Sequence, residues 1–357
     1  MTEGGRPAPV PLRVDLFLLA GQFPGSTAAQ SLRHALGYAL AAERAGLDGV
    51  WIAEHHFLTY GVCPSALTFA AYLAGATTRL RVGTAACILP NRHPVALAEE
   101  AVLIDELSGG RLDLGVARGG PWVDLEVFGT GLPRYTEGFT ESLDLMLRWL
   151  SGAAAVRGDG PQLRFRQVPV IHRPRRPPPV WVAATSPPTA QAAAARGLPL
   201  LLGMHAGPQD KVALLEAYAA AAAEHGHDPA GVAHATAHLC HLDDSEEQGR
   251  AALRRAMPGW LAGTRDYVRI DGTAGAGRDP HEYLEDLLRI HPVGPPDLCA
   301  RRLAETSRAT GVRHLLLMVE GTGDPQRTHQ TIAGIGTDLL PALRVQIGQP
   351  PAAAGLR

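Results

Sequence analysis

The sequence predicts an α/β protein folded as one (β/α)8 barrel, a TIM barrel. Eight short runs rich in β-branched residues or leucine alternate with longer, alanine-rich amphipathic runs, the pattern of repeated βα units around a parallel sheet. No Pro/Gly-rich linker divides the 357 residues into halves, so eight units in a chain of this length favour one closed barrel over two doubly wound domains.

In chain order the predicted strands are LRVDLFLLA from Leu12, DGVWIA from Asp48, LRVGTAACI from Leu80, RLDLGVA from Arg111, PVWVAA from Pro179, LPLLLGM from Leu198, VAHATAHLC from Val232 and VRHLLLM from Val312. Helices with apolar residues at i, i+3 and i+4 follow most of them, as at 28–45, 94–107 and 209–224. Two insertions interrupt the rhythm. Residues 155–170 read as a small hairpin before strand five, and 261–292, after strand seven, as a mobile lid. Within the second, GTRDYVRIDGTAGAGRDP from Gly263 has glycines, few apolar anchors and no periodicity. Residues 345–357 read as a flexible tail of a single domain spanning 1–357.

Composition narrows the function. With 46% hydrophobic and 19% charged residues and a net charge of -2, the chain can bury a large core and does not suit the coating of nucleic acid. No signal-like or bilayer-spanning run is visible, which points to the cytoplasm and away from a membrane. Cys63, Cys87, Cys240 and Cys299 are scattered without CxxC spacing, as buried thiols would be.

In such a barrel chemistry collects where strands end at the C-terminal face. Strand two runs into Glu54, His55 and His56. Strand four runs into ARGG, bringing Arg118 to the rim, and strand five into ATSPPT, placing Thr185, Ser186 and Thr189 at the start of a helix. Free N–H groups and the helix dipole there favour a phosphate, which Arg118 can meet as a charged fork. Plainer readings exist for each: a helix cap at Thr185 or Ser186, an ion-pair role for Arg118, loop histidines satisfied by backbone carbonyls. Two adjacent histidines without spaced Cys or Asp ligands are weak grounds for a metal. Three strand ends suited to one phosphate-bearing, proton-exchanging ligand favour a shared site.

The segments AEHHFLTYG, ATTRLRVGTAACILPNRHPVALAEEAVLIDELSGGRLDLGVARGG, VFGTG, AATSPPTAQAAAARGLPLLL, EHGHD and HPVGPPDLC closely resemble, in order and spacing, the luciferase-like flavin monooxygenases, nearest the bacterial luciferase α-subunit (alkanal monooxygenase-like) branch. The resemblance covers nearly the whole chain. It implies a barrel that binds reduced FMN (FMNH2) at its mouth and reacts it with O2 to a flavin C4a-peroxide. His55 matches the histidine acting as base or hydrogen-bond partner at that oxygen, with His56 beside it. Arg118 matches the arginine on the FMN phosphate, Thr185, Ser186 and Thr189 line that phosphate, and Gly120 adds backbone. Ala85 and Ala86 match a non-proline cis peptide beneath the flavin ring, and Glu54 and Met204 belong to the same pocket. A histidine titrating near neutrality suits the exchange of a proton at pH 7.

Departures from the luciferase pattern bear on the substrate. Ala117 stands in place of a reactive cysteine, Thr185 of an acidic residue and Met204 of a tryptophan, and the lid is shorter. The expected enzyme is therefore an FMNH2-dependent monooxygenase that hydroxylates a small organic substrate or inserts oxygen beside its carbonyl in a Baeyer-Villiger step, within specialised metabolism. F420-dependent hydride transfer and a non-catalytic flavin-binding subunit are the alternatives. The chain has no GxGxxG after its first strand for binding NADH, so the resemblance implies a separate NAD(P)H:flavin reductase. The alanine-rich stretch 66–76 would allow pairing into a homodimer.

Overall fold

The computed structural model describes residues 10–273 and 278–348. Eight parallel strands form the barrel: β1 (Arg13–Leu18), β2 (Gly49–Ile52), β3 (Arg81–Thr84), β4 (Leu112–Ala117), β5 (Val180–Ala184), β6 (Leu200–Leu202), β7 (Ala235–Leu239) and β8 (His314–Met318). Each pairs with its neighbours in the order β3-β2-β1-β8-β7-β6-β5-β4, and β3 pairs with β4 to close the ring. The expected (β/α)8 architecture is the one the chain adopts.

Alternation along the strands sorts side chains into two apolar layers. Val14, Leu16 and Leu18 of β1 face the helices, while Phe17 joins Trp51, Trp181, Leu201 and Leu316 inside the barrel. Trp51 meets Trp181 edge to face at 5.3 Å. Gly83 makes room for it, because a Cβ there would lie 2.2 Å from the indole. Below these rings the N-terminal end of the barrel is closed by ions. Asp15 accepts from Trp51 Nε1 at 2.6 Å and from His314 Nε2 at 2.8 Å, and the Arg13 guanidinium bridges Asp15 and Asp113. Those partners hold the Asp15 carboxyl far below the usual carboxylate range against the opposing effect of burial. This ion cluster closes the floor, and the C-terminal mouth is left for chemistry.

Strands Ala155–Asp159 and Arg164–Pro169 form an antiparallel hairpin ahead of β5. The segment 261–292 is not one loop. It holds a 3-10 turn (Ala262–Asp266) and an amphipathic helix, Pro280–Ile290, whose Leu284, Leu287 and Leu288 are buried. Residues 274–277 of it, and 349–357 of the tail, lie outside the described residues, while the helix Leu340–Ile347 runs into the tail's first positions. Among the described residues no helix is long and apolar enough to cross a membrane.

Candidate active site

The mouth takes its shape from a break in the β3–β4 ladder. Main-chain pairing stops after Gly83↔Asp113 and resumes at Cys87↔Val116, with the cis peptide Ala85-Ala86 between. Thr84 bridges the gap with its side chain: Oγ1 donates to Gly115 O at 2.7 Å and accepts from Gly115 N–H at 2.9 Å. Glycine is required opposite, since a Cβ at Gly115 would sit 1.9 Å from Thr84 O.

The carboxylate of Glu54, at the end of β2, accepts from Ile88 N–H and Ala66 N–H, each at 3.1 Å, and pairs with Arg92 at 3.2 Å. It lines the cavity described below, yet its lone pairs are engaged by the backbone on both flanks. Its visible work is to pin the chain that follows Ala86.

His55 is fixed by its backbone N–H on Cys63 O at 3.0 Å and by Tyr60, whose ring meets it edge to face at 5.2 Å. Gly61 packs against the imidazole so closely that a Cβ would lie 2.5 Å from Nδ1. That Nδ1 is buried and has no hydrogen-bond partner among the described residues. Burial, then the neighbouring His56, lower the His55 pKa to about 4. This corrects the expectation of a group titrating near neutrality: at pH 7 His55 is a neutral imidazole, because it is desolvated and, among the described residues, no carboxylate accepts from its ring. The His56 ring lies 3.7 Å from Glu54 Oε1 and edge-on to Phe128 at 4.9 Å.

Two cavities adjoin at the mouth, an outer one of about 260 Å³ and an inner one of about 190 Å³. Together they fall within the range of small-molecule sites, roughly 300–1,000 Å³. His55, Ala85 and Ala183 line both. Glu54, His56, Ala86 and Ala117 line the outer cavity; Thr185 and Met204 line the inner, otherwise mostly apolar one. The passage between them is walled by alanines, which leaves flat, open space.

Arg118, Gly120, Ser186 and Thr189 stand beside the cavities rather than in their walls. The register Ala117↔Ala183 sets Arg118 next to Ala184, one residue before Thr185, so both strand ends meet at one stretch of rim. No ion pair engages Arg118 among the described residues; its guanidinium lies 4.9 Å over the Tyr135 ring. Ser186 caps the helix Pro187–Ala194 without a side-chain hydrogen bond to its backbone, and its hydroxyl lies 3.2 Å from that of Thr189. Pro187 and Pro188 carry no N–H. The expected array of free helix N–H groups is therefore reduced in the first turn to Thr189, and hydroxyls and Arg118 would carry more of any anion's contacts. Gly120 has a clear local reason: a Cβ would fall 2.2 Å from the Trp122 indole.

Three contributors were not singled out from sequence. Trp122 and Tyr267 pack at 4.6 Å, joined by Val123 N–H to Val268 O at 2.8 Å and Ile270 N–H to Pro121 O at 2.9 Å, and so roof the outer cavity. The supposed scarcity of apolar anchors in the insertion thus overlooked Tyr267. His205, after β6, lines the inner cavity. Lone aromatic or imidazole side chains in otherwise polar loops were the available signal.

Residues 12–314 match the family described as luciferase-like monooxygenase. The alkanal monooxygenase alpha chain of the Kryptophanaron alfredi symbiont is 29% identical over 348 residues, covering 92% of this chain and 97% of that protein. Among solved structures, the oxygenating constituent of 3,6-diketocamphane monooxygenase from Pseudomonas putida, a type II Baeyer-Villiger monooxygenase in complex with FMN, is similar with a TM-score of 0.76 at 22% identity, covering 93% of this chain and 99% of that one. An F420-dependent secondary alcohol dehydrogenase in complex with an F420-acetone adduct is similar with a TM-score of 0.74 at 18% identity, covering 94% and 100%. These structural likenesses establish the shared fold. With the family's profile matched across most of this chain, from the first strand of the barrel to the start of the last, the chain belongs to the luciferase-like monooxygenases.

Proposed function

We propose that the protein is an FMN-dependent monooxygenase that receives reduced FMN from a separate NAD(P)H:flavin reductase and transfers one oxygen atom of O2 to a small organic substrate. The observation that carries this reading is the alanine-walled passage, bounded by the His55 imidazole on one side and leading toward the hydroxyls and guanidinium at the ends of β4 and β5. The fit to FMN is one of shape and chemistry. Ala85, Ala86, Ala117 and Ala183 leave room for a planar ring, and Arg118, Ser186 and Thr189 suit a phosphate.

When bound, reduced FMN supplies the electrons that activate dioxygen. The chain's own residues do the rest. Arg118 and the hydroxyls hold the phosphate and so orient the cofactor along the rim. Glu54 and Thr84 keep the Ala85–Ala86 backbone in place. The neutral His55 imidazole, seated against Gly61 at its Nδ1, lines both cavities and offers its ring as hydrogen-bond partner or proton acceptor there. The Trp122–Tyr267 roof limits water over the site, and the segment around it serves as the lid. Hydroxylation and Baeyer-Villiger insertion both suit a mostly apolar inner cavity. Pairing of two copies through the helices Ala66–Ala76 and Pro94–Ser108, where Tyr72, Leu103 and Leu107 are exposed, is part of the same proposal.

The test is a pair of titrations, with FMN and with F420, followed by absorbance, and then oxygen uptake with a flavin reductase present against a panel of aldehydes, ketones and aromatic compounds. FMN binding with substrate-dependent oxygen uptake supports the proposal. Tight F420 binding with oxygen-independent turnover would replace it, and FMN binding without turnover of any compound would favour a flavin-holding subunit.

A further inference from the structure

His205 has an unusual position. It lines the inner cavity and also a second pocket of about 680 Å³ beside the helix Pro280–Ile290, and no other described residue lines both. Its Nδ1 is hydrogen-bonded to the hydroxyl of Tyr283, which belongs to the helix Pro280–Ile290 and itself lines the outer pocket. Nε2 of His205 has no hydrogen bond among the described residues. One imidazole therefore stands in the walls of both the outer pocket and the space that His55 lines, and a phenol links it to the outer pocket.

The surroundings suit proton transfer better than ligand binding. The outer pocket carries the carboxylates of Asp210, Asp279, Glu282 and Asp286 together with Arg278 and Arg289. Arg278 lies 5.1 Å over the Tyr283 ring. Behind His205 lies a buried layer of Lys211, whose Nζ donates to Ala237 O at 3.1 Å, and His291, whose Nε2 donates to Met204 O at 2.7 Å, with His238 against it at 5.6 Å. None of the carboxylates forms an ion pair with His205. Burial, with the charges of Arg278 and Lys211, lowers its pKa, which keeps the ring neutral and able to pass a proton through.

We propose that Tyr283 and His205 form a proton port, a relay that carries protons from the outer pocket into the inner cavity without using the roofed mouth. Tyr283 gives its O–H proton to Nδ1 of His205 while Nε2 releases its proton into the cavity. Tyr283 is reprotonated from water or a carboxylic acid of the outer pocket; a half-turn of the imidazole then carries Nδ1–H away from Tyr283, Nδ1 gives its proton to water as Nε2 takes one back, and the reverse turn restores the Nε2–H start. The relay rests on the proposed flavin chemistry for its purpose but not for its existence.

Two measurements test it. In the ligand-free protein, 15N-detected histidine spectra should show His205 as the Nε2–H tautomer, and Tyr283→Phe should shift it toward a mixture. An unchanged tautomer population would mean that the two residues share no proton and would overturn the proposal, whatever the cofactor. In protein loaded with reduced FMN, reoxidation by O2 alone, FMNH⁻ + O2 + H⁺ → FMN + H2O2, takes up one proton. His205→Ala and Tyr283→Phe should slow this about tenfold or more above neutral pH, with a larger solvent deuterium effect, and imidazole should restore the rate of His205→Ala. Unaltered rates in both variants would show that protons enter by the mouth. If FMN fails to bind, the functional proposal falls while the tautomer measurement still decides the port.

Discussion

Thr84 Oγ1 is clasped between both main-chain groups of Gly115, donating to its carbonyl at 2.7 Å and accepting from its N–H at 2.9 Å. A hydroxyl has one proton and two lone pairs, so it can serve both at once. It thereby replaces the rung that the β3–β4 ladder lacks and closes the barrel beneath Ala85.

Thr84→Val keeps the shape and removes the hydroxyl, leaving two buried main-chain groups of Gly115 without partners. The expected loss is about 2–4 kcal/mol in urea unfolding, with Thr84→Ser close to wild type. Equal stability of the Val and Ser variants would remove this bridge from the account of the mouth.

His55→Ala should leave FMN affinity nearly intact while sharply lowering product formed per flavin oxidised. Gly61→Ala should reproduce part of that loss, because its Cβ would displace the imidazole from the other side. Coupling is measured as product against hydrogen peroxide, and wild-type coupling in His55→Ala would exclude it from the reaction.

Arg118→Ala should weaken FMN binding roughly 10- to 100-fold, the usual worth of a charged hydrogen-bonded contact, and leave riboflavin binding unchanged. Fluorescence titration with the two flavins separates the cases. Equal weakening of both would place Arg118 away from the phosphate.

Burial lowers the Lys211 pKa from 10.5 to about 7. Between those values the unfolded chain binds more protons than the folded one, so this residue makes stability rise with pH across the window; its cost is fullest below pH 7, at most about 5 kcal/mol. Lys211→Met should be more stable than wild type at pH 7, with the difference narrowing to near zero by about pH 10 in denaturant melts. A constant difference at both pH values would show that the buried ammonium is not its source.

Much of this was legible beforehand. All eight strands fall inside the predicted runs, and the helices Ala28–Arg44 and Pro94–Ser108 begin where expected, because their apolar spacing and caps are local. The placement of strand-end residues was legible too: Glu54, His55 and His56 line one cavity together with Ala85 and Ala86, which the resemblance pointed to. The helix content of 261–292 was not, since the run of glycines before it masked the periodicity of Pro280–Ile290.

Sequence alone determined the barrel, the strand ends that would carry polar groups and the family to which they belong, since periodicity and residue type are properties of neighbours along the chain. Tertiary structure decided that Glu54 holds backbone, that His55 is neutral, that Trp122 and Tyr267 form a roof and that His205 reaches two pockets. Each of these depends on desolvation or contact between segments far apart in sequence, and neither quantity exists until the chain has closed on itself.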